Sequence, residues 1–303
     1  MIEYFVKKKE RIEKISECVA GCLINVLNPS DKEIKFLVEE LELNKDMIIQ
    51  GLDIYEEPRF EDEDKKVYIF MTTTTEKLLH DDISSFLVVY SKKHIIIISK
   101  YNLEVTDNVV SNGKIEDFSS SKNLIRILYF ISKAFETAVH KIMRDVKADK
   151  TDLNKLKEKD IAKLIVYENK LNSYVTPFGE MVQSYSKILK MKLIEFSERD
   201  SERLENLIID LNETLNICKS TLKTITNMRN YYSTQLSTNL NRIVTALTIF
   251  TIFLTIPTLV SSVYGMNINL PFQNSPNIFI NLIIVVLVIW VVMFSFLKFA
   301  KII

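Results

Sequence analysis

The pattern of hydrophobic and polar positions divides the 303-residue chain into three parts. In residues 1–118, β-branched and aromatic runs of strand length alternate with polar turns and helix signals. The clearest runs are K-V-Y-I-F-M-T-T-T-T, S-S-F-L-V-V-Y-S and H-I-I-I-I-S-K-Y. The third run does not alternate, as expected of a strand covered on both faces. Ser30 and Glu33 have the capping-box spacing of a helix start. We therefore predict an α/β domain with a mixed sheet.

The second part, residues 119–240, has a helical period throughout. One amphipathic stripe at spacings of three and four comprises Ile125, Leu128, Ile131, Phe135, Val139 and Ile142. The pair Thr176-Pro177 predicts the end of a helix or a kink. From about Arg199 a second stripe comprises Leu204, Leu207, Leu211, Leu215, Cys218, Leu222, Ile225 and Met228. No proline follows until Pro257, so this helix spans about 90 Å. We predict a stalk that packs on other helices, of this chain or of copies.

The third part, residues 241–303, is predicted to be a transmembrane hairpin. Residues 243–263 and 278–297 carry no charge, and each run is long enough to cross about 30 Å of hydrocarbon. Residues 264–277 connect them. Basic residues flank only the outer ends of the pair, and the N-terminus has no apolar signal-peptide core. We therefore expect a multi-pass protein of the cell (inner or plasma) membrane with both termini cytoplasmic, so that the α/β domain is cytosolic.

Charge is distributed unevenly along the chain. The formal net charge is zero, which argues against nucleic acid as a partner, but all 39 acidic residues lie at or before Glu213. The last ninety residues hold six basic residues and no acid. The three cysteines, Cys18, Cys22 and Cys218, make no disulfide framework, and the three histidines are scattered along the sequence. No histidine is expected to complete a zinc site with Cys18 and Cys22.

One side of the first span is polar. Its members recur at steps of three and four and are Asn241, Thr245, Thr248, Thr251, Thr255, Thr258 and Ser262. The hydroxyl groups could bond back to their own helix and allow close helix packing, or copies of the helix could gather around an axis with this stripe lining a pore. The long helix that leads into the span favours a pore-forming homo-oligomer. The second span, including Trp290, is apolar throughout and is expected to face lipid.

A short motif at the outer end of the first span identifies a family. Tyr264-Gly265-Met266-Asn267, placed between two terminal spans, resembles the signature of the CorA family of magnesium transporters. The segments E-E-P-R-F-E-D-E-D-K-K-V-Y-I-F-M and T-I-F-L-T-I-P-T-L-V-S-S-V-Y-G-M-N are also similar to that family. The resemblance implies a CorA-like pentameric channel: an α/β cytosolic domain, a long helical stalk and two C-terminal transmembrane helices.

The same resemblance implies roles for individual residues. The selectivity filter would be Tyr264, Gly265, Met266 and Asn267, with Gly265 permitting close backbone approach. The pore would be lined by Asn241, Val244, Leu247, Thr248, Thr251, Thr255, Thr258 and Ser262, with Val244 and Leu247 as an apolar constriction. Cytosolic Mg²⁺ would hold the pore shut by binding acidic residues between protomers, for which the candidates are Asp81, Asp82, Glu205 and Asp210. The family's usual stalk aspartate falls at Asn206 here.

We therefore expect transport of Mg²⁺ through a homopentameric channel gated by intracellular Mg²⁺, with Mg²⁺ as both the transported and the regulatory ion. The sequence shows no nucleotide loop, nucleophile constellation or metal-hydrolase motif, so no enzyme activity is expected. One alternative is a CorA-like transporter of zinc, cobalt or nickel, which the absence of Cys and His from the pore disfavours. Another is a membrane-anchored coiled-coil adaptor, which would leave the polar stripe and the motif unexplained.

Overall fold

The computed structural model describes residues 1–8, 11–74, 83–111, 121–150, 157–191, 193–271 and 276–299. The chain divides into two compact units, Met1–Arg229 and Asn230–Ile303. The strands are β1 Ile2–Lys8, β2 Arg11–Ile15, β3 Leu23–Leu27, β4 Arg59–Glu63, β5 Lys66–Thr74, β6 Ile83–Tyr90 and β7 Ile95–Ser99. The helices are α1 Asp31–Glu39, α2 Lys45–Gly51, α3 Glu104–Ser111, α4 Ser121–Lys150, α5 Glu158–Ile188, α6 Glu198–Tyr264 and α7 Ile278–Phe299.

The described strands of the first unit form one mixed sheet in the order β2-β1-β3-β7-β6-β5-β4. Only the pairing of β3 with β7 is parallel, and it sets Leu23 opposite Ile95. The remaining neighbours are antiparallel. The predicted α/β unit with a mixed sheet is therefore confirmed.

Both faces of the sheet are covered. In β7, Ile95 and Ile97 belong to one hydrophobic cluster, which includes α4, α5 and the first part of α6. Ile96 and Ile98 belong to the other, which includes α1 and α2. All five residues of β7 are buried. The lack of alternation in this strand thus has the predicted cause, since a strand with two buried faces has no polar side.

Local signals fix the helices that flank the sheet. At the start of α1, the Glu33 carboxylate accepts hydrogen bonds from the Ser30 N–H at 2.8 Å and the Ser30 hydroxyl at 2.9 Å. The predicted stripe on α4 is buried at all six positions. The stripe on the first part of α6 is buried except at Leu222, which is partly buried. Apolar periodicity therefore located both packing faces correctly.

Of the two outcomes predicted at Thr176-Pro177, a helix end or a kink, the helix end does not occur. Pro177 lies inside α5, which continues to Ile188. A proline removes one backbone hydrogen bond and costs about 3 kcal/mol in a helix interior. The neighbouring ring of Phe178 is buried and stacks on Phe135 with ring centroids 3.7 Å apart. Tyr174 packs edge-on against both rings. Burial of these rings offsets the loss at the proline, because each contributes about 1.5–3 kcal/mol.

The second unit comprises the C-terminal part of α6 together with α7. Both helices contain a stretch long and apolar enough to cross a membrane, and neither stretch is buried within the chain. Large apolar side chains are exposed along both, including Phe250 at 62% and Val291 at 66%. Exposure of that extent is expected where lipid or other protein copies form the surroundings.

Candidate functional site

The first apolar span packs on α7 along one face only. The half-buried residues of α6 between 245 and 264 are Thr245, Ile249, Phe253, Ile256, Pro257, Val260 and Tyr264. Those of α7 are Ile278, Leu282, Val286, Trp290, Met293 and Leu297. Both sets recur mainly at steps of three and four, as expected of two helices in contact along a seam. Trp290, which the sequence had grouped with lipid-facing residues, is one of the seam residues.

The candidate pore-lining residues lie on the opposite face of α6. All eight are exposed in the single chain: Asn241, Val244, Leu247, Thr248, Thr251, Thr255, Thr258 and Ser262. At 3.6 residues per turn they fall within an arc of about 120°, centred roughly 180° from Phe253. Thr245, part of the polar stripe but not of this set, lies at the edge of the seam. Apart from Thr245, the stripe therefore lies on the face of α6 that does not pack on α7.

The threonine hydroxyls on this face all donate to the helix backbone. Thr248 donates to the Val244 carbonyl at 2.9 Å, and Thr251 donates to the Leu247 carbonyl at 2.8 Å. The same bond to the carbonyl four residues earlier occurs at Thr255 and Thr258, each at 2.8 Å. A hydroxyl that has donated its hydrogen retains acceptor lone pairs. The face therefore presents neutral hydrogen-bond acceptors. Both interpretations of the stripe, close helix packing and a pore lining, contain these bonds.

A tryptophan compensates for the proline in the first span. Pro257 has no N–H, so the Phe253 carbonyl lacks the helical donor that would come from position 257. The Trp290 indole Nε1–H donates to this carbonyl at 3.0 Å, and the Trp290 and Phe253 rings are 5.8 Å apart. Because an unsatisfied carbonyl is costly in hydrocarbon, this bond stabilises the proline-containing turn. A proline in the first span and a lone tryptophan in the second were the sequence signals for it.

We expect Trp290→Phe to destabilise the hairpin, by about 1 kcal/mol per chain, the size of a hydrogen bond between membrane helices. Phenylalanine keeps an aromatic ring at the seam but donates no hydrogen bond to the Phe253 carbonyl. The measurement is thermal loss of helical circular dichroism in detergent.

The control uses Pro257→Ala, which restores a backbone N–H for the Phe253 carbonyl. In the Pro257→Ala background, Trp290→Phe should lower the stability of the hairpin clearly less than it does in the wild-type protein. An equal cost in both backgrounds would show that the indole acts only through its packing.

The helix ends immediately before the glycine of the signature motif. Its last residue is Tyr264, and the Gly265 N–H donates to the Ser261 carbonyl at 2.9 Å. A Cβ at position 265 would lie 3.2 Å from that same carbonyl oxygen, closer than nearly all Cβ contacts. A side chain at position 265 would therefore contact the last turn of the helix, and the close approach proposed for Gly265 in a filter stays a prediction.

The rest of the motif lies in the turn beyond the helix. The Met266 N–H donates to the Val263 carbonyl at 3.3 Å, and the Tyr264 hydroxyl donates to the Pro271 carbonyl at 3.4 Å. The Asn267 side chain is exposed, three residues after the helix ends. The tyrosine thus links the end of the helix to the connector, and the carboxamide of Asn267 is accessible.

The two candidate regulatory acids that the structure describes, Glu205 and Asp210, are not brought together in the single chain. Glu205 and Asp210 are both exposed on α6, but five residues place them about 140° apart around the helix. Asp81 and Asp82 lie outside the described residues. Among the described residues of the chain, only Cys18, Cys22 and His94 form a group of three or more His, Cys, Asp or Glu side chains that could hold a metal ion. The expectation that no histidine would join these cysteines is therefore wrong.

Comparisons with known proteins agree with this architecture. The sequence profile of the CorA-like Mg²⁺ transporter protein family matches residues 22–299. The chain is 22% identical over 295 residues to the cobalt/magnesium transport protein CorA of Methanocaldococcus jannaschii, covering 89% of each chain. It is 22% identical over 270 residues to the magnesium transport protein CorA of Wolinella succinogenes, covering 80% of this chain and 79% of that protein.

The fold is shared as well. The complete structure of the CorA magnesium transporter from Methanocaldococcus jannaschii superimposes with a TM-score of 0.85 at 17% identity, covering 98% of this chain and 97% of that one. The match extends over the sheet-containing domain, the long helix and the two apolar C-terminal helices, so the predicted fold class is confirmed for the single chain. The chain therefore belongs to the CorA-like Mg²⁺ transporter protein family, a family of membrane transporters of divalent cations.

Proposed function

We propose that the protein is a Mg²⁺ channel formed by five copies of the chain around an axis lined by α6. The observation that supports it most directly is the exposed, uncharged face of α6 opposite the α7 seam. This face leads to the exposed Asn267. A polar face directed at lipid would be unfavourable. Copies of the same helix, arranged with this face inward, remove it from lipid and create a continuous path.

The chemistry of the path suits an ion that keeps its water. A cation orients the hydrogens of its bound waters outward, where they need acceptors, and the back-bonded threonine hydroxyls supply acceptors without charge. Mg²⁺ dehydrates reluctantly and usually keeps several waters. Residues 243–297 contain no Asp, Glu, His or Cys. The absence of carboxylates, thiolates and imidazoles therefore favours outer-shell binding of Mg²⁺ over direct ligation of a softer metal.

Gating by cytosolic Mg²⁺ belongs to the same proposal. The front part of the chain holds all 39 acidic residues, and carboxylates that repel one another across a protomer interface are drawn together when a divalent cation neutralises them. We propose that Asp81, Asp82, Glu205 and Asp210 contribute to such sites. In this proposal both termini are in the cytosol, as the distribution of basic residues predicts, so these acids sense the internal ion concentration and Asn267 lies at the outer mouth.

Ion uptake into liposomes that contain the purified protein tests the function. With low internal Mg²⁺ and an inside-negative potential, we expect Mg²⁺ influx above that of protein-free liposomes, and inhibition when the cytosolic face is preloaded with Mg²⁺. Parallel assays with Zn²⁺, Co²⁺ and Ni²⁺ rank the ions. Uptake of one of these three without Mg²⁺ uptake would refute the Mg²⁺ proposal in favour of the softer-metal alternative. The absence of flux for any ion would refute channel function and favour the adaptor.

A further inference from the structure

Two cysteines and one histidine meet at one end of the central strands β3 and β7 of the sheet. Cys22 immediately precedes β3 and His94 immediately precedes β7, and the parallel register sets the next residues, Leu23 and Ile95, opposite each other. Cys22 and His94 are therefore neighbours although 72 residues separate them. Cys18 reaches the same place through the turn that leads into β3.

Backbone contacts hold these three positions in place. Gly21 has φ of 78°, a left-handed conformation that suits glycine, and its N–H donates to the Lys93 carbonyl at 2.8 Å. The Cys22 N–H donates to the Val19 carbonyl at 3.2 Å, which closes the turn that carries Cys18. This turn is thus tied to the residue that precedes His94.

The β6–β7 turn fixes the histidine in the same way. Ser91 donates its N–H and its hydroxyl to the His94 carbonyl, each at 3.0 Å. The His94 N–H in turn donates to the Ser91 hydroxyl oxygen at 3.0 Å. Both segments that carry the three side chains are therefore ordered by bonds that do not involve the thiols or the imidazole, so those groups are available to a ligand.

The distances between the side-chain atoms fit one tetrahedral metal ion. The Cys18 and Cys22 sulfur atoms are 3.5 Å apart. The Cys22 Sγ lies 3.5 Å from His94 Nδ1. The Cys18 Sγ lies 4.0 Å from the other imidazole nitrogen, Nε2, which would not bind the same ion, but both sulfurs and one imidazole nitrogen lie within 4.8 Å of one another. In a tetrahedral zinc site, bonds of about 2.3 Å to sulfur and about 2.0 Å to nitrogen place two sulfurs roughly 3.8 Å apart and sulfur from nitrogen roughly 3.6 Å. Side-chain rotation at Cys18 and His94 would bring the three ligand atoms from within 4.8 Å of one another to these distances.

We propose that Cys18, Cys22 and His94 bind a borderline-soft divalent cation, Zn²⁺ or Co²⁺, in the cytosolic domain. Two thiolates and one imidazole supply three of four tetrahedral positions and neutralise the charge of the ion. Water takes the fourth position, because Cys18 and His94 are only partly buried. Mg²⁺ does not compete, since it requires oxygen ligands. The site is thus chemically separate from the proposed Mg²⁺ pathway and does not depend on it.

Cobalt spectroscopy tests the site on the full-length protein in detergent under a thiol-free reductant. Titration with Co²⁺ should give a thiolate-to-cobalt charge-transfer band and intense tetrahedral d–d bands that saturate at one ion per chain. Zn²⁺ should abolish both and excess Mg²⁺ should not. The readout is selective, because oxygen ligands in the pore or on the stalk give no thiolate charge-transfer band.

Variants identify the ligands. Cys18→Ser, Cys22→Ser and His94→Gln should each weaken Co²⁺ binding at least about tenfold, since loss even of a supporting partner typically costs that much. Cys218→Ser is the matched control. Its sulfur donates to the Leu171 carbonyl at 3.5 Å in the helical region, and its removal leaves the cluster intact.

Circular dichroism and gel filtration establish that each variant is folded. If Cys22→Ser fails to fold, Cys18→Ser and His94→Gln, which change partly buried residues, decide the matter. Absence of the charge-transfer band in the wild-type protein would overturn the proposal. An equal loss of Co²⁺ binding in Cys218→Ser would overturn it as well. So would an unchanged charge-transfer band in both Cys18→Ser and His94→Gln.

Discussion

Asn267→Ala is expected to lower Mg²⁺ uptake into proteoliposomes at least about a hundredfold while leaving the oligomer intact. The exposed carboxamide lies in the turn just beyond α6, at the end of the proposed pore-lining face. A hydrogen bond to a charged partner contributes about 1.5–3 kcal/mol, so each carboxamide lost from the mouth weakens capture of the hydrated ion by roughly tenfold or more. The copies of Asn267 around the axis would be lost together, which multiplies the effect.

The same turn supplies a matched control. Asn269 is also exposed and carries the same side chain two residues further along. Asn269→Ala should transport Mg²⁺ at nearly the wild-type rate if position 267 alone forms the mouth. Gel filtration with light scattering establishes the oligomeric state of both variants. Wild-type uptake in Asn267→Ala, or equal losses in both variants, would remove Asn267 from its proposed role.

Much of this fold follows from short-range patterns. Residues that recur at helical period, such as Phe135 on α4 and Leu211 on α6, identified the packing faces because burial of one face fixes the orientation of a helix. The same reasoning placed Thr251 and Thr255 on one side of the first span. The structure adds that this side lies opposite the α7 seam, which the sequence of α6 alone could not specify.

The features that the sequence did not reveal depend on distant partners. His94 meets Cys22 only because β3 and β7 pair in parallel, and no local pattern specifies which strands become neighbours in a mixed sheet. Trp290 of α7 reaches the Phe253 carbonyl of α6 only because the hairpin places these two residues side by side. Pro177 stays inside a helix whose neighbouring ring, Phe178, stacks on Phe135 of another helix. In each case tertiary contact decided between local alternatives.

Leu247→Ala is expected to make the channel leak when it should be closed. Leu247 and Val244 are 63% and 60% exposed in the single chain, so neither contributes to its core. On the proposed pore-lining face, their exposed side chains would form a ring that excludes water and thereby blocks ions without closing the path sterically. Truncation of leucine to alanine removes three carbons per chain. The transfer free energy of these carbons from water to an apolar environment is about 2 kcal/mol. If the truncation in a single chain lowers the free-energy barrier to ion passage by this amount, the leak should rise more than about tenfold.

The leak is measured as Mg²⁺ flux into proteoliposomes preloaded with Mg²⁺ at a concentration that closes the wild-type channel. Leu287→Ala is the matched control: Leu287 lies on α7, is 49% exposed and loses the same three carbons, yet it is not on the proposed pore-lining face. The control should remain closed, because a change facing lipid leaves the barrier in the path unaltered. A Leu247→Ala channel that closes as tightly as the wild type would contradict the hydrophobic constriction. Since Leu247 is exposed in the protomer, such a result could not be attributed to a damaged core.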